Sequence, residues 1–112
     1  MRRDQTRTRA TVAGVIASIT RATTWTLVDE LPLRFDAHHP QGMARVGSNW
    51  WISTVDIGAG RGLVMVVDDR GALVEQIPIG DHQHYHPGGI DFDGDAFWVP
   101  CAEYRPDSST TV

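Results

Sequence analysis

The sequence predicts an all-β fold: a β-propeller fragment holding about one complete four-stranded blade and parts of two neighbours, behind a short N-terminal helix. Three observations predict it. Residues 39–54 align without gaps on residues 86–101 at an offset of 47, so that His39 meets His86, Pro40 meets Pro87, Gly42 meets Gly89, Gly47 meets Gly94 and Trp51 meets Trp98. Upstream, "LVDELPL" at 27–33 matches "LVEQIPI" at 73–79 at an offset of 46. Each period reads as four short strands divided by turn residues, and four antiparallel strands every ~40–50 residues mark a propeller blade.

The elements follow in chain order. Residues 1–24 hold five Arg against one acid, Asp4. Within them Val12, Val15, Ile16 and Ile19 fall at the spacing of one helical stripe, which predicts a short amphipathic helix over this segment. The same Arg-rich start followed by an apolar run also fits a cleaved secretion signal. The helix reading keeps the chain in the cytoplasm, whereas the signal reading exports it.

Residues 25–112 form the predicted propeller part. Residues 26–33 are expected as the outermost strand of a preceding blade. Next comes a complete blade over about 42–80: "GMARV", the turn "GSN", "WWISTV", the near-continuous apolar run "RGLVMVVDD", and "ALVEQIPI". The inner two strands of a second blade follow over about 89–102, with Asp-Gly in "DFDGD" as their hairpin turn. On an offset of 47, residue 112 maps onto Met65, inside the third strand of the period. The expectation is therefore that the remaining blades are missing from this chain.

Composition narrows the partners. Hydrophobic residues make up 41% and charged residues 21%, as in a packed domain. All ten basic residues are Arg, and those after residue 24 are outnumbered by thirteen acids to five. Such an acidic body argues against a nucleic-acid partner and is compatible with cations or a small polar ligand. No apolar run approaches the ~18 residues of a membrane span. Cys101 is alone, so an internal disulfide is excluded, and its place at a strand end reads as a buried structural thiol.

The motifs resemble known propellers. "HPGGIDFDGDAFWV" is similar to the blade openings of gluconolactonase, strictosidine-synthase and virginiamycin-lyase-type propellers: a Pro-x-Gly-Ile step, an Asp-Gly turn and an aromatic "WV" strand. "LPLRFDAHHPQGM", "GRGLVMVVDDRG" and "YHPGGIDFDGDAFWVPCAEYRPDSSTTV" more closely resemble a bacterial propeller family of unassigned function. The first resemblance implies hydrolase or lyase chemistry on a small molecule at the channel mouth; the second implies no assigned activity.

Candidate site residues come from the repeat. His39 and His86 are expected in equivalent loops just before the innermost strands. Asp56 and Glu103 follow the second strands, each 17 residues after its His. Imidazole and carboxylate together are a usable ligand set for a divalent metal ion, so His39, His86, Asp56 and Glu103 are the candidate metal ligands. His39, His86 and Glu103 are also the candidate catalytic groups. The alternative is that His-Pro is a turn whose imidazole bonds to neighbouring backbone.

"DHQHYHP" sets His82, His84 and His86 at alternate positions, where they converge on a metal or else face solvent. Tyr104 and Arg105 in "AEYRP" are the candidate ligand-binding pair, Arg105 through its forked guanidinium. Arg105 is equally suited to brace the loop through Glu103 or Asp107. The acids Asp91, Asp93 and Asp95 read as a solvated hairpin turn. Trp50, Trp51 and Trp98 read as packing. The function expected is thus a metal-dependent hydrolase or lyase, against a non-catalytic ligand- or protein-binding scaffold, or an inactive fragment of a longer propeller.

Overall fold

The computed structural model describes residues 11–112. The chain divides into two compact units, residues 1–30 and 31–112.

In the first unit, helix α1 spans Val12–Ala17. Thr11 caps it: its side-chain oxygen accepts from the Gly14 N–H at 3.1 Å, filling one donor that a helix start leaves open. The expected apolar stripe is exposed, with Val12, Val15 and Ile16 on the helix and Ile19 beyond its end. Arg2, Arg3, Arg7 and Arg9, on which the Arg-rich start rests, lie outside the described residues.

The second unit is β-structure. Strands β1 (His39–Val46), β2 (Asn49–Asp56), β3 (Arg61–Val67) and β4 (Leu73–Ile79) form one four-stranded antiparallel sheet in chain order. The near-continuous apolar run becomes β3, one of the two inner strands, and Gly62–Val67 are all buried. Val55, Leu63 and Val67 are fully enclosed, and with Met65 they centre the core. Gly47, at φ 61°, makes the tight β1–β2 turn that a side chain would strain.

Residues 26–33, expected as a strand, form none. A strand persists only as half of a ladder, and no described segment pairs with these residues. Trp25, Leu27 and Val28 are accordingly exposed. His39 and His86 also differ from expectation: each opens a strand instead of preceding it.

The remaining strands are short: β5 (His86–Pro87), β6 (Asp91–Phe92), β7 (Phe97–Trp98), β8 (Cys101–Ala102) and β9 (Thr110–Thr111). They form a β5-β8-β9 sheet and a β6-β7 pair. Their registers repeat those of β1 and β2. His39↔Val55 and Pro40↔Thr54 recur as His86↔Ala102 and Pro87↔Cys101, each partner advanced by 47. Ala44↔Trp51 and Arg45↔Trp50 recur as Asp91↔Trp98 and Phe92↔Phe97.

The ladder breaks between these pairs because Pro100, at the position equivalent to Ser53, has no N–H to donate. The Gly88 N–H still donates to the Pro100 carbonyl at 2.8 Å. On the far side, Val55↔Gly62 recurs as Ala102↔Thr110, so the segment before β9 carries one extra residue. Val112 therefore stands at the position of Val64, one residue short of the expected match to Met65.

The two parts meet through backbone. A Cβ on Gly42 would lie 2.8 Å from the Gly89 Cα, a separation only glycine allows. The buried Ser53 hydroxyl donates to the Gly88 carbonyl at 2.6 Å, and the Thr54 hydroxyl donates to Ala37 O. Trp51 stacks on Phe97 with centroids 4.2 Å apart, which confirms its packing role. Trp50 lies under the Arg45 guanidinium instead, at 5.2 Å, and Trp98 is 55% exposed, donating from Nε1 to Asp93 Oδ2 at 2.7 Å. Asp93 also accepts from the Asp95 and Ala96 N–H groups, so the acid-rich segment is a self-capped turn.

Candidate functional site

Two carboxylates, each at the end of a second strand, organise the loops. Asp56 closes β2. Its Oδ1 accepts from the Ala59 N–H at 3.1 Å and its Oδ2 from Arg61 Nε at 3.2 Å. His38 Nε2 stands 3.8 Å from the same Oδ2, and His38 Nδ1 3.9 Å from Asp36 Oδ2. The Ala59 N–H, then Arg61 and His38, hold the Asp56 carboxyl below its ordinary range. The histidine on Asp56 is thus His38 and not the expected His39. At φ 56°, His38 turns the backbone just ahead of β1, and the exposed His39 ring makes no hydrogen bond among the described residues.

Glu103 follows β8 and is buried. Its Oε1 accepts from Gln83 Nε2 at 2.7 Å. Its Oε2 accepts from Arg105 Nη2 at 2.9 Å, from the Ser109 N–H at 2.8 Å and from the Ser109 hydroxyl at 3.2 Å. The Arg105 bond, followed by the Ser109 N–H and Gln83, pulls the Glu103 carboxyl down to about 2. A carboxylate with its lone pairs so occupied is a structural post. Arg105 therefore does brace Glu103, yet its side chain is 60% exposed and offers further N–H donors outward.

Tyr104 stands against one of the candidate histidines. The His86 ring meets the Tyr104 ring edge-on at 4.8 Å, and Tyr104 lies parallel to Tyr85 at 6.2 Å. His86, Glu103, Tyr104, Arg105 and Ser108 line a shallow cleft of about 370 Å³. A larger groove of about 650 Å³ is walled mainly by apolar side chains, among them Trp51, Val64, Ile77, Ile79 and Phe97. It offers few polar groups to a ligand.

His84 is not the solvent-facing side chain that one reading expected. Its Nδ1 lies 3.2 Å from both Asp81 carboxylate oxygens, and its Nε2 lies 2.7 Å from the Ser109 hydroxyl. Asp81 also accepts from the Gln83 and His84 N–H groups, which hold its carboxyl below the ordinary range. Gln83, Ser109, His38 and Arg61 were not among the candidates read from the sequence. A signal for two of them was present: Arg61 follows Asp56 at the post where Ser109 follows Glu103, once the extra residue before β9 is allowed for.

No three His, Cys, Asp or Glu side chains among the described residues gather so as to hold a metal ion. Cys101 is buried, and burial pushes its thiol up. No helix among the described residues is long and apolar enough to cross a membrane. No curated protein and no solved structure matches the chain. Residues 8–112 match a family described only as being of unknown function, DUF6454, and the chain belongs to that family.

Proposed function

We propose that this chain is a propeller-type β scaffold that binds a small polar molecule carrying a carboxylate or phosphate in the cleft beside Arg105. The recurrence of one pairing register at 47 residues supports the blade reading, as does the approach of the equivalent glycines Gly42 and Gly89. The observation that carries the functional reading is Arg105 itself. Glu103 fixes the guanidinium through one nitrogen and leaves it exposed over a cleft walled by His86 and Tyr104. An oriented guanidinium loses little freedom on gripping an oxyanion, and the aromatic wall covers the apolar part of a ligand.

Metal-assisted hydrolase or lyase chemistry at His39, His86, Asp56 and Glu103 has less support, because protein donors already engage both carboxylates.

The test is thermal stabilisation of the purified chain by inorganic phosphate and by a panel of small mono- and dicarboxylates. At least one probe is expected to raise the melting temperature of the wild type and of Arg61→Ala but not of Arg105→Ala. Equal stabilisation of all three proteins, or none of any, rejects the reading.

A further inference from the structure

We propose that Ser109, His84 and Asp81 form a nucleophile relay that transfers acyl groups from small esters. This activity does not depend on anion binding beside Arg105. The chain of contacts runs in the order such chemistry requires. Asp81 can only accept hydrogen bonds when ionised, so its two oxygens at 3.2 Å place the ring proton on His84 Nδ1. In the neutral ring the lone pair is then on Nε2, which lies 2.7 Å from the Ser109 hydroxyl. Glu103 Oε2 competes for the same hydroxyl proton from 3.2 Å, a longer contact. The His84 side chain is 18% exposed, and Ser109 is an exposed residue.

The corresponding loop in the first part of the sheet structure is held differently. Ser109 stands where Arg61 stands in the first part of the sheet structure, and His84 stands where Ala37 stands. There, Asp56 is secured by Ala59, Arg61 and His38, and the Asp36–His38 pair leads to that carboxylate and not to a hydroxyl.

In the first step Ser109 Oγ bonds to the ester carbonyl carbon while its proton passes to His84 Nε2. The carbonyl π electrons move onto oxygen. Arg105, bonded to the same Glu103 oxygen as the Ser109 hydroxyl, offsets the carboxylate charge beside the nucleophile. Collapse breaks the carbon–oxygen bond of the leaving group, which takes the proton back from His84. Water then attacks the acyl-Ser109 ester by the same route, giving the carboxylic acid and the free hydroxyl.

A fluorophosphonate probe on the purified chain tests this, with the adduct located by peptide mass spectrometry. The wild type is expected to carry one adduct, on Ser109. Ser109→Ala keeps the backbone N–H that holds Glu103 and is expected to lose the adduct. His84→Gln and Asp81→Asn are expected to slow labelling by about 100-fold or more. p-Nitrophenyl acetate is expected to give a burst of one p-nitrophenolate per chain in the wild type alone. An unlabelled wild type, an adduct on another residue, or labelling of Ser109 at an unchanged rate in His84→Gln overturns the proposal.

Discussion

Gly42, in β1, and Gly89, 47 residues on in the segment that joins β5 to β6, approach each other closely: a Cβ on Gly42 would stand 2.8 Å from the Gly89 Cα and 3.0 Å from the Ile90 nitrogen. The contact is one-sided, since a Cβ on Gly89 would meet nothing within 4 Å. Gly42→Ala is therefore expected to force backbone apart and cost about 1–3 kcal/mol. Gly89→Ala is expected to stay within about 1 kcal/mol of the wild type. Urea unfolding of both variants checks the asymmetry, and equal effects would contradict the contact.

Ser53 ties the same junction with a hydroxyl. It is fully buried and donates to the Gly88 carbonyl at 2.6 Å. Ser53→Ala leaves that carbonyl without this donor, and the expected loss is about 1–3 kcal/mol. The signature is a lower midpoint of denaturant unfolding at an unchanged slope.

Glu103 makes the fold sensitive to acid. Its folded value of about 2 lies below the ordinary 4.5, so its contribution is fully present above the ordinary value and is lost as pH falls toward about 2. Asp56, Asp68, Asp81 and Asp93 are lowered too and act in the same direction. Melting temperature is expected to fall between about pH 5 and pH 2, and to fall less steeply in Glu103→Gln. Identical slopes for the two proteins would show that Glu103 is not held in this way.

Cys101 is expected to be inert while the chain is folded. It is 3% exposed, and burial raises its thiol. Ellman's reagent should react with it slowly in buffer and rapidly in denaturant. Fast reaction in buffer would place the thiol at the surface.

Much of this frame was legible in the sequence, because strand pairing follows apolar alternation and turn residues. The offset between His39-Pro40 and His86-Pro87 carried the registers of β1–β2 into β5–β8 and β6–β7. Side-chain partnerships were less legible. Whether His38 or His39 reaches Asp56 depends on one left-handed residue, His38 itself, which no alternation pattern encodes. The extra residue before β9 shifted Ser109 out of the simple offset and hid it from the equivalence with Arg61. The bond from Trp98 Nε1 to Asp93, five residues earlier, is likewise a partnership that no apolar alternation encodes.

On the proposed reading one frame carries two carboxylate posts with different duties: Asp56 closes its own loop, while Glu103 presents Arg105 to a ligand. Side-chain Nε–H NMR signals of Arg61 and Arg105, followed as the stabilising anion is titrated into the purified chain, test this most directly. A saturable shift at Arg105 with Arg61 stationary is the predicted result. Both signals moving in parallel, or neither moving, would contradict it.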